Sequence, residues 1–211
     1  YTTDESGAFV GSDVTYASKE GVAAFKAMIS LAKSPSFQNG SSVDKATNLA
    51  AIVDGAWDAD AAKAVFGDNY ACAKLPSFTV DGQSYQMSGF GGFKLLGVKP
   101  QTEQGKQLVC LALAEYLSNE ETQLARFNEV AWGPSNLVAQ QSDAVKSDAA
   151  LSALAEQLAY TIPQGQYPGD YWTDATSLGD DVIADKYDNM SDDELMKVLE
   201  DFQARQQSYA Q

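Results

Sequence analysis

Four aromatic residues in or beside predicted turns, Trp57, Tyr167, Tyr171 and Trp172, are the side chains best suited to ligand chemistry. Flat apolar C–H faces of sugar rings pack on aromatic rings, while nearby carboxylates and amides bond the hydroxyls. Small-ligand clefts combine aromatic walls with a few placed polar groups in this way. Asp54, Asp58, Gln164, Gln166 and Asp170 stand close enough in sequence to serve as those polar groups. Aromatics near Gly and Pro are also common loop anchors, and Trp57 equally fits a core position. On residue types alone both readings stay open.

Catalytic chemistry is poorly supplied. The 211 residues contain no histidine, which removes the commonest general base and the commonest transition-metal ligand. Ser135 and Ser177 therefore have no imidazole to activate them. Carboxylates are paired at Asp58/Asp60, Asp180/Asp181 and Asp192/Asp193. A glycosidase needs two carboxylates facing each other across a bond, whereas neighbours on a helix point apart. The acidic run Asp188, Asn189, Ser191, Asp192, Asp193 lacks the glycine and glutamate spacing of a calcium loop. Ser88 to Phe93 (SGFGGF) is glycine-rich without a Walker lysine or a GxGxxG spacing. Its glycines imply close backbone approach, a bulge or a hinge. Cys72 and Cys110 form no CxxC pair, and two buried free thiols are favoured over a disulfide. No catalytic residue, metal or cofactor is expected.

The net charge is −15. Phosphate binding needs a basic face, so nucleic acid is not an expected partner. No apolar run reaches the length of a membrane span and no signal peptide opens the chain. Tyr1 is not a natural start, so removed or missing upstream sequence is expected.

The elements that must position these side chains alternate through the middle of the chain, which makes the class α/β. Ala51–Val53 reads as a strand, Asp58–Phe66 as a helix capped by Asp58, and Tyr70–Leu75 as a second strand closed by Pro76. Trp57 then stands at the carboxyl end of a strand, where open α/β sheets bind ligands. Upstream, Ser18 caps a helix to about Lys33 with Val22, Phe25, Ile29 and Ala32 on one stripe. Ser42 opens a shorter helix with Val43, Ala46 and Leu49 inward. Asp81-Gly82 marks a hairpin between Phe78–Val80 and Ser84–Met87. Phe93–Val98 reads as a strand. Thr102 caps a long helix to about Leu117, whose wide apolar face (Leu108, Val109, Ala112, Leu113) implies burial. A second helix runs to about Val130, short ones follow near 136–141 and 148–158, and another spans about 169–186. Ser191 and Glu194 form a capping box for the last helix, with Leu195, Val198, Leu199 and Phe202 on one face.

The ordered set AAIVDGAWDADAAKAVFGDNYACAKLPSF, FGGFKLLGVKPQTEQGKQLVCLALAEYLSNEETQ, AWGPSN and IPQGQYPGDYW resembles the C-terminal half of bacterial extracellular solute-binding proteins of the maltose/maltodextrin-binding type. Ala56 replaces the family's Pro before the first tryptophan, and Thr176 replaces a cation one turn after the second. The resemblance implies a periplasmic-binding-protein-like (class II) fragment, mostly C-terminal lobe. Residues 1–88 would be C-terminal-lobe α/β structure and 89–93 a hinge crossing. Residues 94–141 would return to the N-terminal lobe, and 142–211 would be a helical part back in the C-terminal lobe. Cys72 and Cys110 would then lie in different lobes. Trp57 and Trp172 match sugar-stacking tryptophans, and Ile162 and Pro163 match the edge of a subsite. Tyr167 and Tyr171 come from the aromatic pattern instead. The implied ligand is a maltodextrin-like oligosaccharide and the implied partners are the membrane subunits of an ABC permease, with no membrane insertion by this segment. The implied location is extracellular or periplasmic, with a lipid anchor. Two other readings are a glycoside hydrolase using paired carboxylates and a non-transport glycan-binding or adhesion fragment.

Overall fold

The computed structural model describes residues 2–40, 42–45, 48–163 and 169–209; Tyr167, Gln164, Gln166 and Ala46 lie outside the described residues. In chain order the elements are β1 (Thr2–Thr3), β2 (Phe9–Gly11), α1 (Lys19–Ala32), α2 (Ala59–Phe66), β3 (Ser77–Val80), β4 (Gln83–Gln86) and β5 (Gly89–Gly91). They continue with α3 (Gln104–Ser118), α4 (Glu120–Val130), α5 (Asp143–Ser147), α6 (Ala149–Gln157), β6 (Thr161–Pro163), α7 (Gly169–Ile183) and α8 (Asp192–Tyr209). The protein is α/β and rich in helix. Its described strands form three two-stranded sheets. The chain divides into two compact units, one from 1–41, 77–86 and 165–211, the other from 42–76 and 87–164.

The first unit has a helical core. Ser18 accepts a hydrogen bond from the Gly21 N–H at 3.0 Å and so starts α1 where its sequence requires. Val22 and Phe25 of α1, Val182 of α7, and Leu195 and Leu199 of α8 are buried together. Tyr187 packs its ring 5.1 Å from Phe25. The Asp81-Gly82 turn has positive φ at both positions, 51° and 79°, the geometry that matches hairpin twist. It registers Ser77 with Gln86 and Val80 with Gln83. Phe78 and Tyr85 stack across this hairpin at 5.5 Å. Lys26 of α1 reaches Asp192 at 3.1 Å and Asp81 at 3.5 Å.

The second unit is held more by polar anchors than by a large core. Gln157, buried at the end of α6, accepts from the Leu75 N–H at 2.9 Å and donates to the Met87 carbonyl at 3.2 Å. The Met87 N–H in turn donates to the Pro76 carbonyl at 3.2 Å. One amide thus clasps the two segments flanking residues 77–86. Gln123 plays a similar part, accepting from the N–H groups of Ser135 (2.7 Å) and Asn136 (3.0 Å) where the chain turns after α4.

Several sequence expectations fail here. Ala51–Val53, Tyr70–Leu75 and Phe93–Val98 are not strands. Each is apolar enough for one, but a strand exists only where another backbone completes its hydrogen bonds. Asp58 does not cap α2 through its side chain, and Thr102 does not start α3, whose N-cap is Glu103. Around Val43 the described residues form a 3-10 turn, Val43–Lys45, with Val43 buried. No residue of α3 is buried, contrary to its apolar composition. Cys72 and Cys110 are free, Cys72 on the surface and Cys110 half-buried, and both belong to the second unit.

Candidate functional site

Trp57 sits on a 3-10 turn, Ala56–Asp58, rather than beyond a strand. The turn is closed by the Asp58 N–H donating to the Gly55 carbonyl at 3.1 Å. Asp54 accepts from the Gly55 N–H at 2.7 Å. The indole folds back over Gly55 so closely that a Cβ there would meet its ring at 2.2 Å. This makes Gly55 a requirement of the tryptophan's placement. The ring is 84 % exposed, so Trp57 is a presented surface and not a core aromatic. The Asp58 carboxyl lies near both the Trp57 indole and the Asp54 carboxyl, close enough for each to act on its titration. Desolvation, followed by the charge and hydrogen bond of Asp54, holds the Asp58 carboxyl above the usual aspartate range, and the Trp57 N–H works against that rise. An indole with two interacting carboxyl groups at its edge can stack on an apolar ring face and bond hydroxyls beside it.

Ile162 and Pro163 lie in β6, which pairs in parallel with β5. Phe90 stands opposite Ile162, and Gly91 opposite Pro163. Residues in register on neighbouring strands share a face, so Phe90 and Ile162 form a small half-exposed apolar ledge, Ile162 being 50 % exposed. Gly91 is fixed by contact, since a Cβ there would fall 2.1 Å from Thr161 Cγ2. Of the readings open for the glycine run, close backbone approach is the one observed at this residue. Phe90 was not among the sequence candidates. A lone phenylalanine between glycines, in a run too short to show period-two alternation, gave little signal.

Trp172 lies in the first turn of α7. Tyr171 meets it edge-on, centroids 4.9 Å apart at 89°. Tyr171 itself is buried, only 8 % exposed, and its hydroxyl is 3.0 Å from that of Tyr16. The Tyr16 ring packs 5.1 Å from Phe202 of α8. Tyr171 is therefore rooted in the helical core and props Trp172, whose own ring is 47 % exposed. Farther along α7, Thr176, Asp180 and Ile183 join Met28 and Leu31 of α1 around a groove of about 280 Å³. Its mostly apolar lining is unlike the polar-edged surface at Trp57.

The structure thus groups Trp57 with Asp54 and Asp58, and Ile162 and Pro163 with Phe90, all in the second unit; Tyr171 and Trp172 form a pair in the first. Among the described residues no three His, Cys, Asp or Glu side chains gather to hold a metal.

Residues 6–153 match the family model described as bacterial extracellular solute-binding protein. The chain belongs to this family. The family is one of binding proteins and not of enzymes, so the hydrolase reading is set aside. No curated protein matches the chain. Among solved structures, the maltodextrin-binding protein MalE1 from L. casei BL23, without ligand, matches 90 % of this chain and 52 % of its own at 21 % identity, with a TM-score of 0.73. A structure solved with acarbose matches 92 % of this chain and 52 % of its own at 23 % identity, with a TM-score of 0.68. These likenesses establish the fold. The chain spans about half the length of both structures.

Proposed function

We propose that this solute-binding protein takes up carbohydrate, a maltodextrin-like oligosaccharide, by stacking it on Trp57 and Trp172. The observation that carries this reading is the 84 % exposed Trp57 ring, held over Gly55 with Asp54 and Asp58 at its edge. A flat aromatic face presented beside carboxyl groups combines the apolar wall and the polar partners that small-ligand sites use. The propping of Trp172 by buried Tyr171 supports a second platform, and the names of the matched structures favour glucan ligands. Ile162, Pro163 and Tyr167 complete the proposed set. In the whole protein the fold is of the class II periplasmic-binding type, lipid-anchored outside the cell and serving an ABC permease. There, residues 1–88 and 142–211 belong to the C-terminal lobe, 89–93 cross, and 94–141 return to the N-terminal lobe. This lobe division concerns the longer protein and is distinct from the two compact units.

Calorimetric titration of the whole protein with malto-oligosaccharides tests the proposal. Trp57→Ala is expected to weaken binding by about 1–3 kcal/mol, the cost of truncating an aromatic anchor, while Trp132→Ala leaves it unchanged. Absence of heat with every glucan tried would sink the sugar assignment. Equal affinities of Trp57→Ala and the parent would sink the site.

A further inference from the structure

The groove of about 280 Å³ between α1 and α7 lies wholly within the first unit, and neither Trp57 nor Trp172 lines it. Its walls include the exposed side chains of Met28, Leu31 and Ile183 and the half-buried Phe37. Val182 lines it too and is buried with Val22, Phe25, Leu195 and Leu199, so the groove is anchored in the helical core and stands preformed. Exposed apolar side chains scattered singly are ordinary, whereas a set gathered around a concavity with a few polar groups is the pattern of a ligand site. Gly179 of α7 adds an independent observation. Glycine inside a helix is less stable than alanine. At Gly21, Gly55, Gly91 and Gly133 a Cβ would collide with neighbouring atoms, but at Gly179 it would meet nothing within 4 Å. Packing within the chain gives no reason for this glycine, and its missing side chain widens the groove that it lines. Three polar side chains, Asn39, Thr176 and Asp180, complete the rim, and none has a hydrogen-bond or ion partner among the described residues. Asp180 supplies the only charge in the lining. Lys33 and Lys186, just past the ends of α1 and α7, are already held by Asp188 and Asp181.

We infer that this groove is a second ligand site, which takes a small organic ammonium: an apolar ring or short chain seated against Met28, Leu31 and Ile183, with its N–H groups donating to Asp180. Charge selects the ammonium. An unpaired carboxylate beside an apolar concavity, in a protein of net −15, favours a cation over a neutral or anionic molecule of the same shape. Size selects a small molecule over a polypeptide. At about 30 Å³ for each water-sized group, the groove holds roughly nine such groups. The stripe from Thr176 to Ile183 spans only about 10 Å of helix, short of what a docked helix would cover. Trp57 belongs to the other unit, so the two sites share no residue and the occupancy of this one does not depend on a sugar.

Titration of the whole protein with 2-phenylethylammonium, followed by the methyl NMR signals of Met28, Leu31 and Ile183, tests it. These signals should shift with a dissociation constant on the order of 1 mM, as for a ligand of this size. The neutral isostere 2-phenylethanol should bind roughly 5–10-fold more weakly, and phenylacetate more weakly still. Asp180→Asn should bring the ammonium down to the alcohol's affinity and leave the alcohol unchanged. Gly179→Leu should fill the groove and abolish binding of both, with a urea midpoint no lower than the parent's because the new side chain enters open space. No shift of the three methyl groups overturns the inference, as does phenylacetate binding as tightly as the ammonium. Ammonium binding that survives Gly179→Leu in a folded variant lies elsewhere and also overturns it. Shifts produced by raising the protein concentration alone assign the groove to a second copy. Shifts produced by a basic amphipathic peptide and not by the amine assign it to a helix, and either result overturns the small-ligand site.

Discussion

Gln157 shows how much one side chain carries where the apolar core is thin. Its amide oxygen and nitrogen join Leu75 to Met87, and its own carbonyl accepts from Thr161 Oγ at 3.1 Å. Three chain segments are thereby tied to the end of α6, next to the β5–β6 pair that holds Ile162. Gln157→Leu keeps the volume and removes both amide bonds. At about 0.5–1.5 kcal/mol per bond, the variant should lose roughly 1–3 kcal/mol, read as a lower urea midpoint for the second unit. An unchanged midpoint would mean that backbone pairing alone suffices. Trp57 belongs at the same scale. Its residue type named the chemistry, but whether the ring faced water or core depended on how it folds over Gly55, which the linear sequence does not disclose.

Local hydrogen-bond chemistry made some elements readable and left others unreadable. Helix α8 begins where its capping box says it must. The Ser191 N–H donates to Glu194 Oε2 at 2.8 Å, and the Glu194 N–H returns a bond to Ser191 Oγ at 3.4 Å. Ser191→Ala should cost about 1 kcal/mol at neutral pH, the usual worth of an N-cap. The backbone and hydroxyl of Ser191 hold the Glu194 carboxyl below its ordinary value of 4.5. With the folded value lowered, the glutamate's contribution is complete above 4.5 and fades as pH falls through the folded value. The stability gap between parent and variant should therefore narrow in acid, which denaturation curves at neutral pH and below the glutamate range would reveal. A gap that widened in acid would contradict the assignment. The Asp81-Gly82 hairpin and α1 were legible for the same reason as α8: their signals lie within a few residues of the element. The three missing strands and the exposed α3 were misread because apolar sequence states a need for burial without naming what supplies it. Likewise, the pairing of Ile162 beside Phe90 joins residues 72 positions apart, beyond the reach of any local pattern.

At the scale of the whole molecule, the two units differ in how the chain builds them. The first draws on 1–41, 77–86 and 165–211, and its most distant parts are joined by one face of α8. Gln203 accepts from the Ala17 N–H at 2.9 Å, and Gln207 accepts from the Val14 N–H at 2.9 Å while donating to the Ser12 carbonyl at 3.0 Å. The same helix supplies Leu195 and Leu199 against Val22 and Phe25. A ribosome making this chain therefore finishes α1 long before the helix that buries it exists. About 160 residues separate the end of α1 from the start of α8, which at roughly 5–20 residues per second leaves α1 waiting on the order of 8–32 s. During that wait its apolar stripe should be open to proteases and to chaperones. Nascent chains stalled before Asp192 should be cut within α1, and chains stalled after Tyr209 has cleared the tunnel should resist. Protection of α1 in the shorter chains would show that its stripe finds another cover during synthesis.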